Sequence, residues 1–141
     1  MLVEVGQVLS LIIRFNNNGE VSSSKHPYLI VKTIDNSTIE LAQFDKVKGK
    51  EWKAAFESNK VVYADNPSES VIDQDSFIQM DNTIQVEYYD GLITYRRQTD
   101  KLSEQKLKDV VDAYNNYHLT HQIDENKQVY MDKDEIERLN S

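Results

Sequence analysis

Short apolar runs of strand length recur through the first two-thirds of the chain, interrupted by one short helical spacing, and a long helical period follows only later. The run QVLSLIIRF (7–15) follows Gly6 and is rich in branched and aromatic side chains, which predicts a mostly buried strand. The loop NNNGEVSSSKH (16–26) is long for a hairpin connection. Pro27 then fixes the backbone at the start of a second strand, YLIVKTID (28–35), where a strand tolerates proline best. Asn36 and Ser37 part this strand from TIELAQFD (38–45), so the two predict a β-hairpin. The spacing of Trp52, Ala55 and Phe56 in KEWKAAFESN (50–59) predicts a short helix inserted among strands, with Trp52 and Phe56 turned to the core.

A short strand is expected in VVYA (61–64), a loop in DNPSES (65–70), and strands in SFIQM (76–80) and TIQVEYY (83–89). In the last of these Ile84, Val86 and Tyr88 alternate with Gln85, Glu87 and Tyr89. A further strand is expected in ITYRR (93–97), after a turn at Asp90 and Gly91. The period then changes. Leu107, Val110, Val111 and Tyr114 form one face of a helix, with Ser103 placed to cap it and Leu102 to staple onto Leu107. QVYM (128–131) is compatible with a strand, and Asp132 with Glu135 three residues on signals a last short helix, with Met131 packing on Ile136. Five to seven short strands with an inserted helix and a terminal helix make a mainly β molecule, a small barrel or a strongly bent antiparallel sheet.

Composition narrows the chemistry. At 141 residues, 39% of them apolar, the chain suits one domain with a real core. It has no cysteine, which excludes disulfides, thiolate metal sites and cysteine nucleophiles. No stretch approaches the roughly 18 apolar residues of a membrane span, and Glu4 stands where a signal peptide carries positive charge, so a cytoplasmic protein without a membrane partner is expected. The net charge of −8 disfavours nucleic acid as a partner, but its distribution softens the objection. Residues 1–63 hold eight Lys and Arg against seven acids, whereas residues 64–141 hold eight against seventeen. An anion-binding face therefore belongs to the first half, joined by Arg96 and Arg97.

The order of four segments resembles the MazF/PemK family of toxins from type II toxin–antitoxin modules, over residues 5–117: VGQVLSLIIRF, SKHPYLIVKT, DSFIQMD (75–81) and DKLSEQKLKDVVDAYNNY (100–117). The resemblance implies an SH3-like barrel, as in the MazF, PemK and CcdB toxins, over residues 1–117. It leaves residues 118–141 as an extension packed on the same domain. It also implies a homodimer, an antitoxin protein as partner, and cleavage of single-stranded RNA with no metal or other cofactor. Such cleavage needs a base for the 2′-hydroxyl proton, cations for the charge on phosphorus and an acid for the leaving 5′-oxygen. On this reading His26 and Asp81 are the catalytic pair, and Lys25, Arg14, Lys46 and Arg96 hold the RNA backbone.

The sequence departs from the family where it matters. His26 stands where the family has an arginine immediately before the proline, exchanging a permanent phosphate clamp for a group that shuttles protons. Gln79 replaces a basic residue present in some relatives, and the hydroxyl position after the third strand falls at Phe44 or Asp45. A catalytically inactive protein-binding module on the same barrel is therefore a second expectation. A CcdB-like gyrase inhibitor is a third, although the ending DEIERLNS lacks the Trp, Gly and Ile of that family's active helix.

Ordinary roles stand beside these. His26 is suited to ordering the loop, Asp81 to forming a turn with Asn82, and Ser22 to Ser24 to solvated loop. Tyr88, Tyr89 and Tyr95 are core residues by default and base-stacking residues if exposed. HLTH (118–121), with Asp124 and Glu125, lacks the spacing of a recognised metal site.

Overall fold

A computed structural model describes residues 1–69, 71–97 and 100–141. Seven strands, β1 (Val8–Leu11), β2 (His26–Ile34), β3 (Thr38–Lys46), β4 (Asn59–Val62), β5 (Ser76–Gln79), β6 (Thr83–Glu87) and β7 (Gln128–Met131), form one sheet. The helices are α1 (Glu51–Ala54), α2 (Glu104–Thr120) and α3 (Lys133–Leu139), with 3₁₀ segments at Asp90–Tyr95 and Glu125–Lys127.

Strand β3 organises the sheet. One edge pairs with β2 across a hairpin whose Asp35 has φ 53°, the left-handed conformation that lets so short a connection turn. The other edge is shared: Thr38–Leu41 pair with β6, and Phe44–Lys46 pair with β5. Every pairing is antiparallel except that of β6 with β7. The path β1-β2-β3-β5-β4, with β6 and β7 branching from β3, does not close on itself among the described residues.

Alternation along β2 and β3 sends side chains into two cores, one on each face. Tyr28, Ile30, Ile39 and Leu41 meet Leu9, Leu11, Ile13, Val86, Leu92 and Ile136 on one side. Leu29, Val31, Ala42 and Phe44 meet Val71, Ile72, Val110 and Tyr114 on the other, beneath α2. Residues 118–141 take part fully, because β7 pairs with β6 and buries Val129 and Met131, and α3 buries Ile136.

Two local signals for the late helices hold: Asp132 Oδ1 accepts from the Glu135 amide at 2.8 Å, and Leu102 and Leu107 pack in the second core. Four expectations need correction. The segment 93–97 forms no strand; a 3₁₀ segment ends at Tyr95, and Arg96 makes only an isolated bridge to Leu9. Helix α1 is a single turn, and Trp52 and Phe56 are exposed, because the buried Ala54 alone turns that helix to the core. The first strand ends at Leu11, with a bridge from Arg14 to Val21 beyond it. The Ser103 hydroxyl does not cap α2; its backbone amide donates to Glu69 instead. Ser70, the last residue of the loop expected at 65–70, lies outside the described residues. Among the described residues no helix is long and apolar enough to cross a membrane.

Candidate functional site

Antiparallel pairing brings the start of β2 beside the end of β3, and β5 begins opposite Lys46. That corner opens into a cavity of about 370 Å³. His26 and Pro27 come from β2, Asp45 and Lys46 from β3, Ser76 from β5, and Lys50 from the turn before α1. Residues 71–74 form one wall, and Arg97 also lines the cavity.

The charges within the cleft are unequal in availability. Lys50 Nζ grips both Asp45 oxygens, at 2.9 and 2.7 Å, and Asp45 Oδ1 also accepts from the Lys46 amide. Lys46 and Arg97 are exposed, and neither side chain forms an ion pair among the described residues. Asp73 is an exposed carboxylate on the same cavity. His26 also borders a second hollow with Phe15, Val21, Ser22 and Tyr28. Burial pushes the Tyr28 phenol up to about 12, against an opposing hydrogen bond with Ser22. Ser22 is structural: its amide donates to the Ile13 carbonyl, and its hydroxyl accepts from the Ile13 amide at 3.2 Å.

Residues 71–74 lie in no strand or helix, so the position of this wall depends on anchors. Val71 and Ile72 are buried against the α2 core. Glu69 accepts from the Ser103 amide at 2.8 Å and from Lys106 Nζ, which also pairs with Asp65. Desolvation raises the Glu69 pKa, but the hydrogen bonds from Lys106 and Ser103 outweigh it and hold the carboxyl below its ordinary value. At the other end Asp75 accepts from the Ala64 amide at 2.8 Å, and its carbonyl accepts from Val47.

Asp81 is not part of this cleft. It lies five residues beyond Ser76, which at a strand rise of about 3.3 Å per residue carries it up to about 16 Å away. There it pairs with Lys127 at 3.0 Å, near the C-terminal end of α2, where burial first and the Asp81 charge second raise the pKa of Tyr117. His26 and Asp81 share no cavity, hydrogen bond or ion pair among the described residues. Arg14 is committed to structure: its Nε and Nη2 donate to the Glu135 carboxylate, and Nη2 also donates to the Tyr130 carbonyl. Lys25 is exposed and lines neither hollow beside His26. The Arg96 guanidinium lies 3.5 Å from the Leu2 carbonyl, away from the cleft. Of the six residues singled out from the sequence, His26 and Lys46 are brought together.

The sequence reading named Arg97 beside Arg96 without choosing it, and it missed Lys50 and Asp73. Alternation within KVKGK could have pointed to Lys50, but the placement of Asp73 depends on how the wall packs. Tyr88 accepts from the Leu2 amide and donates to Asp90, and Tyr89 lies beneath Lys133. His118 Nε2 donates to the Met80 carbonyl at 2.8 Å, and His121 stacks on Tyr117 and meets Glu57 at 3.2 Å. No group of three or more His, Asp or Glu side chains among the described residues is placed to hold a metal ion.

No family model, curated protein or solved structure matches this chain. The cleft therefore stands on its own chemistry. Lys46 and Arg97, which form no ion pair among the described residues, share this cavity with the His26 imidazole. Such a set suits a phosphodiester, with the cations on its non-bridging oxygens and the imidazole near its sugar hydroxyl.

Proposed function

We propose that this protein binds single-stranded RNA in the His26 cleft, as a binding module on a MazF/PemK-like, SH3-like barrel. The observation that carries the reading is the gathering of Lys46, Arg97 and His26 around one cavity in a molecule of net charge −8. The way β3 passes its outer edge from β6 to β5 supports a barrel-like bend. Binding without cleavage is favoured because the expected carboxylate, Asp81, is held by Lys127 at the far end of β5.

A second reading is an endoribonuclease toxin restrained by an antitoxin. It is favoured by one observation, that His26 shares its cavity with the carboxylate of Asp73. In that reaction His26 would take the 2′-hydroxyl proton as the 2′-oxygen attacks phosphorus, and the departing 5′-oxygen would take a proton from solvent.

Fluorescence anisotropy of a labelled single-stranded oligoribonucleotide in EDTA tests both readings. Saturable binding is expected, with the RNA recovered at full length. Lys46→Ala and Arg97→Ala should each weaken binding about fivefold, equivalent to about 1 kcal/mol. Cleavage that disappears in His26→Ala while binding persists would establish the second reading. No binding by the folded protein would sink both.

A further inference from the structure

Trp52, the only tryptophan in the chain, is 67% exposed, and Phe56 is 48% exposed. Their rings meet edge to face, 5.5 Å between centroids at 75°, an arrangement that leaves open aromatic surface on the outside of the molecule. The backbone beneath them is fixed. Ala54 is buried, the Phe56 amide donates to the Lys53 carbonyl, and Asn59 Nδ2 donates to the same carbonyl at 2.7 Å. The aromatic pair therefore sits on an ordered turn.

The setting of this pair is cationic. Residues 46–53 carry Lys46, Lys48, Lys50 and Lys53 against the single acid Glu51, a quarter of the chain's 16 basic residues. The Glu51 carboxylate is occupied by the Gly49 amide at 3.2 Å. Lys46 and Lys50 line the His26 cleft, and Lys50 immediately precedes the helix that bears Trp52. The unpaired, cleft-lining Lys46 and the exposed rings thus succeed one another along a single short segment. A cationic track interleaved with aromatic faces is how proteins hold unpaired nucleotides, because every base offers a face for stacking. A duplex cannot use such a platform, since its bases are already stacked on one another.

We propose that Trp52, backed by Phe56, is a base-stacking site continuous with the cleft. It receives an unpaired nucleobase of a strand whose phosphate lies between Lys46 and Arg97. This inference rests on the reading of the cleft as an RNA site, and it adds the discrimination between single and double strands.

The lone tryptophan makes the test direct, because its emission reports this position alone. Titration with a short single-stranded oligoribonucleotide should quench Trp52, whereas the same sequence as a duplex, or inorganic phosphate, should leave its emission unchanged. By anisotropy, Trp52→Ala should lose at least about fivefold in affinity for the single strand, and Trp52→Phe should keep most of it. Both substitutions fall on an exposed side chain, and unchanged circular dichroism and melting would show the fold intact. Binding by anisotropy with silent Trp52 emission and an unaltered Trp52→Ala affinity would overturn the stacking site and leave the cleft standing. No binding in any assay would overturn the cleft itself. Concentration-dependent dimerisation that Trp52→Ala abolishes, with emission indifferent to RNA, would make the patch a self-association surface and overturn the stacking site.

Discussion

The His118 ring stacks on Tyr114 with 4.1 Å between centroids, and Tyr114 donates through its hydroxyl to the buried carboxylate of Glu40. Gln85 Nε2 satisfies the other oxygen of Glu40 at 3.0 Å, which is how a carboxylate survives beneath a helix. Desolvation by burial holds the His118 pKa below its ordinary 6.5, against the raising effects of the Met80 and Asn82 backbone and of Glu40; Lys32 adds to the depression. The native state therefore binds fewer protons than the unfolded chain as pH falls through 6.5, so stability drops from there downward, and the loss reaches its full, lasting value once the folded form is protonated too. Urea melts from neutral to acidic pH should show a fall in stability through this window that is smaller in His118→Gln. Identical profiles would refute that assignment. None of this was legible in the sequence, where His118 paired only with His121 in HLTH. The Arg14 ion pair was hidden for the same reason, because its partner Glu135 lies 121 positions away and no local pattern marks it.

Elements with their own signals were legible. The β2–β3 hairpin, the apolar face of α2 and the Asp132 cap of α3 depend on neighbours within a few residues, so periodicity and capping chemistry found them. The segment at 93–97 was not, since whether branched residues extend into a strand is decided by what they pack against. Trp52 and Phe56 show the same limit: helical spacing places them together without saying which face meets the core. Strand β7 and helix α3 give the strongest test at this scale. They bury Val129, Met131 and Ile136. At about 1.5–3 kcal/mol for each side chain this burial is worth about 5–9 kcal/mol, comparable with the whole stability of a small domain. A chain ending after Lys127 should consequently lose its cooperative urea transition. Retention of a sharp transition at the original midpoint would show that the two elements are dispensable.

Across the whole molecule, charge is segregated as the sequence indicated, but only the fold shows which cations are spent. Lys50, Lys106, Lys127 and Arg14 are engaged by acids, which leaves Lys46 and Arg97 at the cleft for an incoming anion. One phosphate held on a single strand predicts that a fourfold rise in salt weakens RNA binding about 2.6-fold. Affinity indifferent to salt would mean that the cleft does not hold phosphate.

Asn140 exchanges two hydrogen bonds with the backbone of Ile12, its Oδ1 accepting from the amide at 2.8 Å and its Nδ2 donating to the carbonyl at 2.9 Å. As the ribosome delivers the polypeptide from its amino end, Leu11, Ile13 and Ile84 must wait for residues 129–140 before their shelter is complete. The nascent molecule is thus sticky until residues 129–140 have emerged, and a stall before them would leave an aggregation-prone fragment.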